Sequence, residues 1–169
     1  SADLMELVES LLDIGKMRRK QMDINSKQTP FKELADNAYT TLMASFKHYG
    51  INMKFDIAEN LPDVYVDPHL IDRVVVNLLQ NALKFTPVDG TIQISAHRDS
   101  DRQDMIQVLI SDTGPGIPAN ARDKIFGEFE QIKDNTHKQQ RGSKGSGLGL
   151  TFCKLAIEEH GGRIWVADS

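Results

Sequence analysis

The aspartate at position 112 closes the apolar run MIQVLIS and is followed by Thr113, Gly114, Pro115 and Gly116. A carboxylate beside a core must accept hydrogen bonds from backbone, water or ligand, because an unpartnered charge there is costly. Glycine at both 114 and 116 would let a flat ligand approach the main chain closely. An aspartate that only caps the turn DTGPG accounts for the same residues. A second group, Asn77, Asn81 and Lys84, recurs at i, i+4 and i+7, so it forms one polar stripe if the segment is helical. Amide oxygens are hard, neutral ligands suited to Mg²⁺, and an ammonium can contact phosphate. A solvated helix face would also look like this. A third group is RGSKGSGLGL, in which Gly142, Gly145, Gly147 and Gly149 lead into an apolar helical pattern. Amides at a helix N-terminus bind anions, and glycines let phosphate oxygens come near, although a flexible loop has the same composition. Around it Lys133, Lys138, Arg141 and Lys144 face a single acid, Asp134, so a locally basic loop sits in an acidic chain.

The elements that must position these groups follow from periodicity. Leu4, Leu7, Val8, Leu11 and Leu12 predict an amphipathic helix over about 3–20. DINSKQT reads as a linker, with Thr29 and Pro30 as N-cap and first residue of a second helix that runs to about Tyr49, before Gly50. From Ile51 the period becomes two, with Ile51, Met53, Phe55 and Ile57 on one face of a strand. Asp67 and Pro68 open a third helix, whose apolar face is Ile71, Val74, Val75, Leu78, Leu79 and Ala82. TIQISAHR and MIQVLISD predict an antiparallel hairpin, with Ile106, Val108, Ile110 and Asp112 on the helix-covered side. Residues 118–144 show no sustained period beyond a short helix in ARDKIFGEF, and so long an irregular stretch is a functional or disordered loop. A last helix over about 146–160 ends at Gly161 and Gly162, and RIWVAD predicts a closing strand. The expected fold is α+β: a two-layer sandwich with a mixed sheet covered on one face by three helices, the first helix standing apart.

Composition narrows the partners. With 169 residues, 40% of them hydrophobic, the chain can bury one sizeable core. A net charge of −4 favours no nucleic acid. One cysteine, Cys153, rules out internal disulfides and Cys-based zinc sites, which points to a reducing compartment and hence the cytoplasm. No apolar run reaches the roughly 18 residues that span a bilayer, so no membrane contact by this chain is expected. Neither a P-loop, nor G-x-G-x-x-G after a strand, nor the protein-kinase signatures occur.

Four segments, NLLQNALKFT, DTGPGI, IFGEFEQ and GSGLGL, resemble in order and spacing the N, G1, F and G2 boxes of the catalytic ATP-binding domain of sensor histidine kinases. That domain has the Bergerat-type ATP fold shared with gyrase-like ATPases. The resemblance covers about 29–169, and LVESLLDIGKMRRKQMDI is similar to the end of the dimerisation and histidine-phosphotransfer helix, so residues 1–28 are expected to be its tail and a linker. The resemblance implies that Asp112 accepts the adenine amino group, with Gly114, Gly116 and Ile117 shaping the pocket. It implies Asn81 as principal Mg²⁺ ligand with Asn77 beside it, Lys84 on the phosphates and Phe85 near the adenine. Residues from Ile117 to Lys144 would form the ATP lid, anchored by Phe126 and Phe129. Arg141, Lys144, Gly145, Gly147, Leu148 and Gly149 would close on the triphosphate.

In hydrolysing relatives of this fold a glutamate four residues before the magnesium asparagine activates water, whereas here that position is Asn77. An amide is no general base. With Asn77 and Lys84 as the catalytic pair, the resemblance implies transfer of the γ-phosphate to a protein histidine in two-component signalling, with ATP and Mg²⁺ as cofactors. None of His48, His69, His97, His137 and His160 stands in the family's phosphoacceptor context, and the chain stops at WVADS, short of the family's last turn and strand. A fragment of a longer, dimeric kinase is expected, with an inner-membrane anchor on the parent left open. Its partners would be the parent's own phosphotransfer domain and a response-regulator receiver domain. A serine kinase or slow ATPase of the same fold, and a non-catalytic nucleotide-binding module, are the alternatives.

Overall fold

A computed structural model of the chain describes residues 2–114, 120, 124–126 and 148–167, without the side chains of 2, 3 and 124. These gather into two compact units: 25–114 form one, and the remaining described residues form the other.

In the larger unit, β1 (Lys27–Thr29) pairs antiparallel with β3 (Val64–Val66). Between them come α2 (Phe31–Tyr49) and β2 (Asn52–Ile57), and after them α3 (Pro68–Phe85), β4 (Thr91–Arg98) and β5 (Ile106–Asp112). The central sheet has the order β2-β4-β5, with β2 parallel and β5 antiparallel to β4. It is therefore mixed. Helices α2 and α3 pack on each other, α2 touches β2, and α3 lies on β4 and β5. The covered face is that of Ile92, Ile94 and Ala96, all buried, and the two helices bury Leu34, Ala38, Leu42, Val74, Val75 and Leu79. The other face carries Thr91, Gln93, Ser95 and His97, and the His97 ring pairs with Gln107 Oε1 at 3.0 Å. This alternation of apolar and polar positions is what one covered and one open face require.

The helix ends follow capping chemistry. Gly50 takes the left-handed conformation (φ 66°) that ends α2. Asp67 caps α3: its Oδ1 accepts from the amides of His69 and Leu70, and its Oδ2 accepts from the amide of Asn25 at 3.1 Å. Thr29 does not cap α2. It ends β1 opposite Val64 and its hydroxyl donates to Lys27 O, so Pro30 becomes the N-cap, without a side-chain hydrogen bond. The DINSKQT stretch thus contributes a strand as well as a linker.

In the smaller unit, α1 (Ala2–Arg18) packs against α4 (Gly149–Glu159). Ile14 and Met17 are buried, while Leu4, Met5, Val8, Leu11 and Leu12 of the preceding turns are exposed. Lys20 and Glu159 pair at 3.2 Å, an exposed contact worth little by itself. The closing strand expected in RIWVAD does not form: its described residues, 163–167, have no ladder partner among the described residues, and Arg163 instead lies 4.7 Å over the Trp165 ring.

Candidate functional site

The candidate site is built where α3 ends and β5 ends. Asp112 is the last residue of β5 and lies opposite Ile92, so it shares the helix-covered face with Ile94 and Ile110. It sits at the rim with its side chain exposed. Oδ1 accepts the amide of Gly114 at 2.7 Å, so this aspartate does cap its own turn. The two accounts open from sequence are compatible, because one carboxylate oxygen serves the turn and the other has no hydrogen-bond partner among the described residues.

Gly114 has no room for a side chain. A Cβ there would stand 2.7 Å from Asp112 Oδ1 and 2.7 Å from the carbonyl oxygen of Phe85. The loop after β5 therefore passes main chain against main chain over the last residue of α3.

Farther back on α3, the polar stripe is as its spacing predicts. Asn77 donates Nδ2 to Arg73 O at 2.9 Å, and its amide oxygen has no partner among the described residues. The Asn81 amide is half-buried and has no hydrogen-bond partner among the described residues. Lys84 is also half-buried, with no carboxylate partner among the described residues, and burial holds its ammonium below the usual lysine range. Phe85 is half-buried at the helix end. Amides with free oxygens, a desolvated cation and a carboxylate at a glycine-lined rim suit a ligand that carries both anionic groups and hydrogen-bond donors. No cluster of His, Cys, Asp and Glu able to hold a metal occurs among the described residues.

In the smaller unit, Leu148 is buried and Gly149 begins α4, with no side chain capping its first amides. The Thr151 hydroxyl donates to Phe126 O at 2.7 Å, which ties α4 to the short turn 124–126. Ile125 is buried there and Phe126 only partly so, an anchoring pair of Ile125 and Thr151 that apolar spacing did not single out. Gly116, Ile117, Phe129, Arg141, Lys144, Gly145 and Gly147 lie outside the described residues. Also unforeseen were Thr86, Gly90 and Thr113, which join the two ends of the site. Their signal, a threonine inside each of the two boxes and a glycine between the boxes, has meaning only once the strands are paired.

Residues 66–169 match the family described as histidine kinase-, DNA gyrase B-, and HSP90-like ATPase. The adaptive-response sensory kinase SasA of Synechocystis sp. is 35% identical over 95% of this chain and 40% of its own length. The chain thus spans about two fifths of the curated relatives it matches. Among solved structures, the catalytic domain of histidine kinase ThkA is 30% identical, over 85% of this chain and 88% of that one, with a TM-score of 0.66. ThkA has also been solved in complex with the response regulator protein TrrA, a structure 23% identical over 98% of this chain and 45% of that one, with a TM-score of 0.69. Full-length ShkA in complex with AMPPNP shares the fold at a TM-score of 0.83, with 22% identity over 98% of this chain and 33% of that one.

Proposed function

The chain belongs to the family of histidine kinase-, DNA gyrase B-, and HSP90-like ATPases, and from that premise we propose that it binds Mg-ATP and presents the γ-phosphate to a histidine of its parent's phosphotransfer domain. The observation that carries this reading is Gly114 pressed between Asp112 Oδ1 and Phe85 O. That contact opens a flat, side-chain-free approach to a carboxylate, as an adenine edge requires. The second oxygen of Asp112 would accept the exocyclic amine, with Gly116, Ile117 and Phe85 around the ring.

The residues present fit a magnesium ion held mainly by phosphates. Among the described residues the Asn81 amide and the Asn77 amide oxygen have no partner, and no carboxylate-rich cage occurs. Mg²⁺ keeps substrate phosphates and waters as ligands and needs only one or two protein oxygens. When bound, it would neutralise phosphate charge. Lys84 would add a second positive charge to the same phosphates, and Arg141, Lys144, Gly145, Gly147, Leu148 and Gly149 would close around them. The new N–P bond forms at the acceptor imidazole as the bond from γ-phosphorus to the ADP oxygen breaks, so alignment and charge neutralisation suffice. Asn77 offers no proton acceptor, which favours transfer to histidine over attack by water.

Residues 1–28 then form the tail of the phosphotransfer helix and a linker, and 29–169 the ATP-binding domain. The exposed stripe Leu4, Met5, Val8, Leu11 and Leu12 supports a helix whose partner helices belong to a dimeric parent. A response regulator is the proposed final acceptor. No helix among the described residues is long and apolar enough to cross a membrane. The test is to mix the chain with Mg-ATP and, separately, the parent's histidine hairpin and a serine substrate. Acid-labile label on the hairpin is expected, whereas acid-stable label on serine, or none despite ATP binding, overturns the assignment.

A further inference from the structure

Asp112 and Asn81 belong to different elements, one at the end of β5 and the other in the last turns of α3. A ligand that engages both needs them in fixed register, and the structure shows one place where that register is set. Thr113, the residue after Asp112, grips Thr91 twice: its amide donates to Thr91 O at 3.1 Å, and its Oγ1 accepts from the Thr91 amide at 3.0 Å. Thr91 opens β4, and Gly90 precedes it. A Cβ on Gly90 would stand 2.6 Å from Thr86 Cγ2, 2.7 Å from Thr113 Oγ1 and 2.8 Å from Pro87 O. Thr86 and Thr113 therefore meet across a bare Cα. Thr86 is the C-cap of α3, only 1% exposed, and its hydroxyl is held by Ala82 O at 2.7 Å. Ala82 follows Asn81 in sequence, so a continuous chain of close contacts runs from the carboxylate arm to the amide arm.

Resting on the nucleotide-site reading above, we propose that Thr113, seated over Gly90, is a positioning residue that sets the register between Asp112 and Asn81. It touches no ligand group itself. Loss of its hydroxyl leaves the Thr91 amide without its acceptor and frees the loop after β5 to shift relative to α3. Ligands that use one arm are indifferent to such a shift, and ligands that span both are not, because small misplacements in a pre-formed site are costly.

Gly90→Ala is the obvious probe but collides with backbone, so the decisive variant is Thr113→Val, with Thr113→Ser as the hydroxyl-retaining control. Affinities of this chain for adenosine, by NMR titration, and for ATP with Mg²⁺, by calorimetry, are compared, together with melting temperatures. Thr113→Val is expected to weaken Mg-ATP about five- to tenfold while adenosine stays within about twofold, and Thr113→Ser to restore Mg-ATP. In an Asn81→Ala background the valine should add nothing further, since the two act through one register. No loss, an equal loss for both ligands, or a loss that serine does not restore overturns the proposal. Failure of the unsubstituted chain to bind Mg-ATP at all instead brings down the nucleotide-site reading beneath it.

Discussion

The Cα of Gly114 lies so near the end of α3 that a methyl group on it would stand 2.7 Å from the carbonyl oxygen of Phe85. Neither that carbonyl nor the Asp112 oxygen on the same side can yield without moving main chain or breaking the turn. Gly114→Ala should cost about 1–3 kcal/mol of stability by overpacking. Nucleotide affinity should fall at least about tenfold, because the methyl fills the approach to Asp112. Chemical denaturation and calorimetry on one preparation read both.

Asp112→Asn separates recognition from folding. The amide oxygen can still accept from Gly114, and the side chain is exposed, so the melting temperature should stay within about 2 °C. On the proposed reading a charged acceptor for the purine amine is lost, and ATP affinity should drop about ten- to a hundredfold. Undiminished binding would show that adenine sits elsewhere.

Lys84 carries a cost in the free protein that its ligand would relieve. Its folded pKa lies below the unfolded 10.5 because burial disfavours the ammonium. Stability from this group is therefore complete above that unfolded value and is lost as pH falls through the lower folded one. At pH 7 the buried charge is a net penalty, so Lys84→Met should raise the melting temperature of the free chain, by about 1–2 °C. The same change should weaken ATP about tenfold and leave adenosine unaffected.

Asp72, also on α3, titrates the other way. Burial raises its pKa above 3.8, only partly offset by His69, and Oδ1 is buried without a hydrogen-bond partner among the described residues. The folded state holds that proton more tightly than the unfolded chain does. Its stability is complete below 3.8 and declines as pH rises through the higher folded value. Asp72→Asn should remove that decline and raise the melting temperature slightly at neutral pH, with none of the change surviving below pH 3.8. Melting curves across an acid-to-neutral series check it.

Signals within one element were legible in the sequence, and signals between elements were not. The periodicity of α3, the cap at Asp67, Gly50 after α2 and the β4–β5 hairpin all follow from neighbouring residues, and each stands where expected. The strands β1 and β3 are three residues long, too short for any alternation to register, and Thr29 was misassigned because nothing local shows that Val64 pairs with it. The carboxylate, the amides and the lysine of the candidate site could be found by type and spacing. Gly90 could not, because its role depends on Thr86 and Thr113, which meet only in the folded chain.

The carboxylate of Asp67 holds the first turn of α3 with one oxygen and the amide of Asn25, 42 residues earlier, with the other. This sets a boundary for anyone trimming the N-terminus. A deletion that stops at Ile24 spares the triple contact, whereas one that reaches past Asn25 withdraws a donor from a nearly buried acid and loosens the helix bearing both asparagines. The N-terminal limit of the unit that bears the candidate site is thus set by a side chain far downstream of the cut.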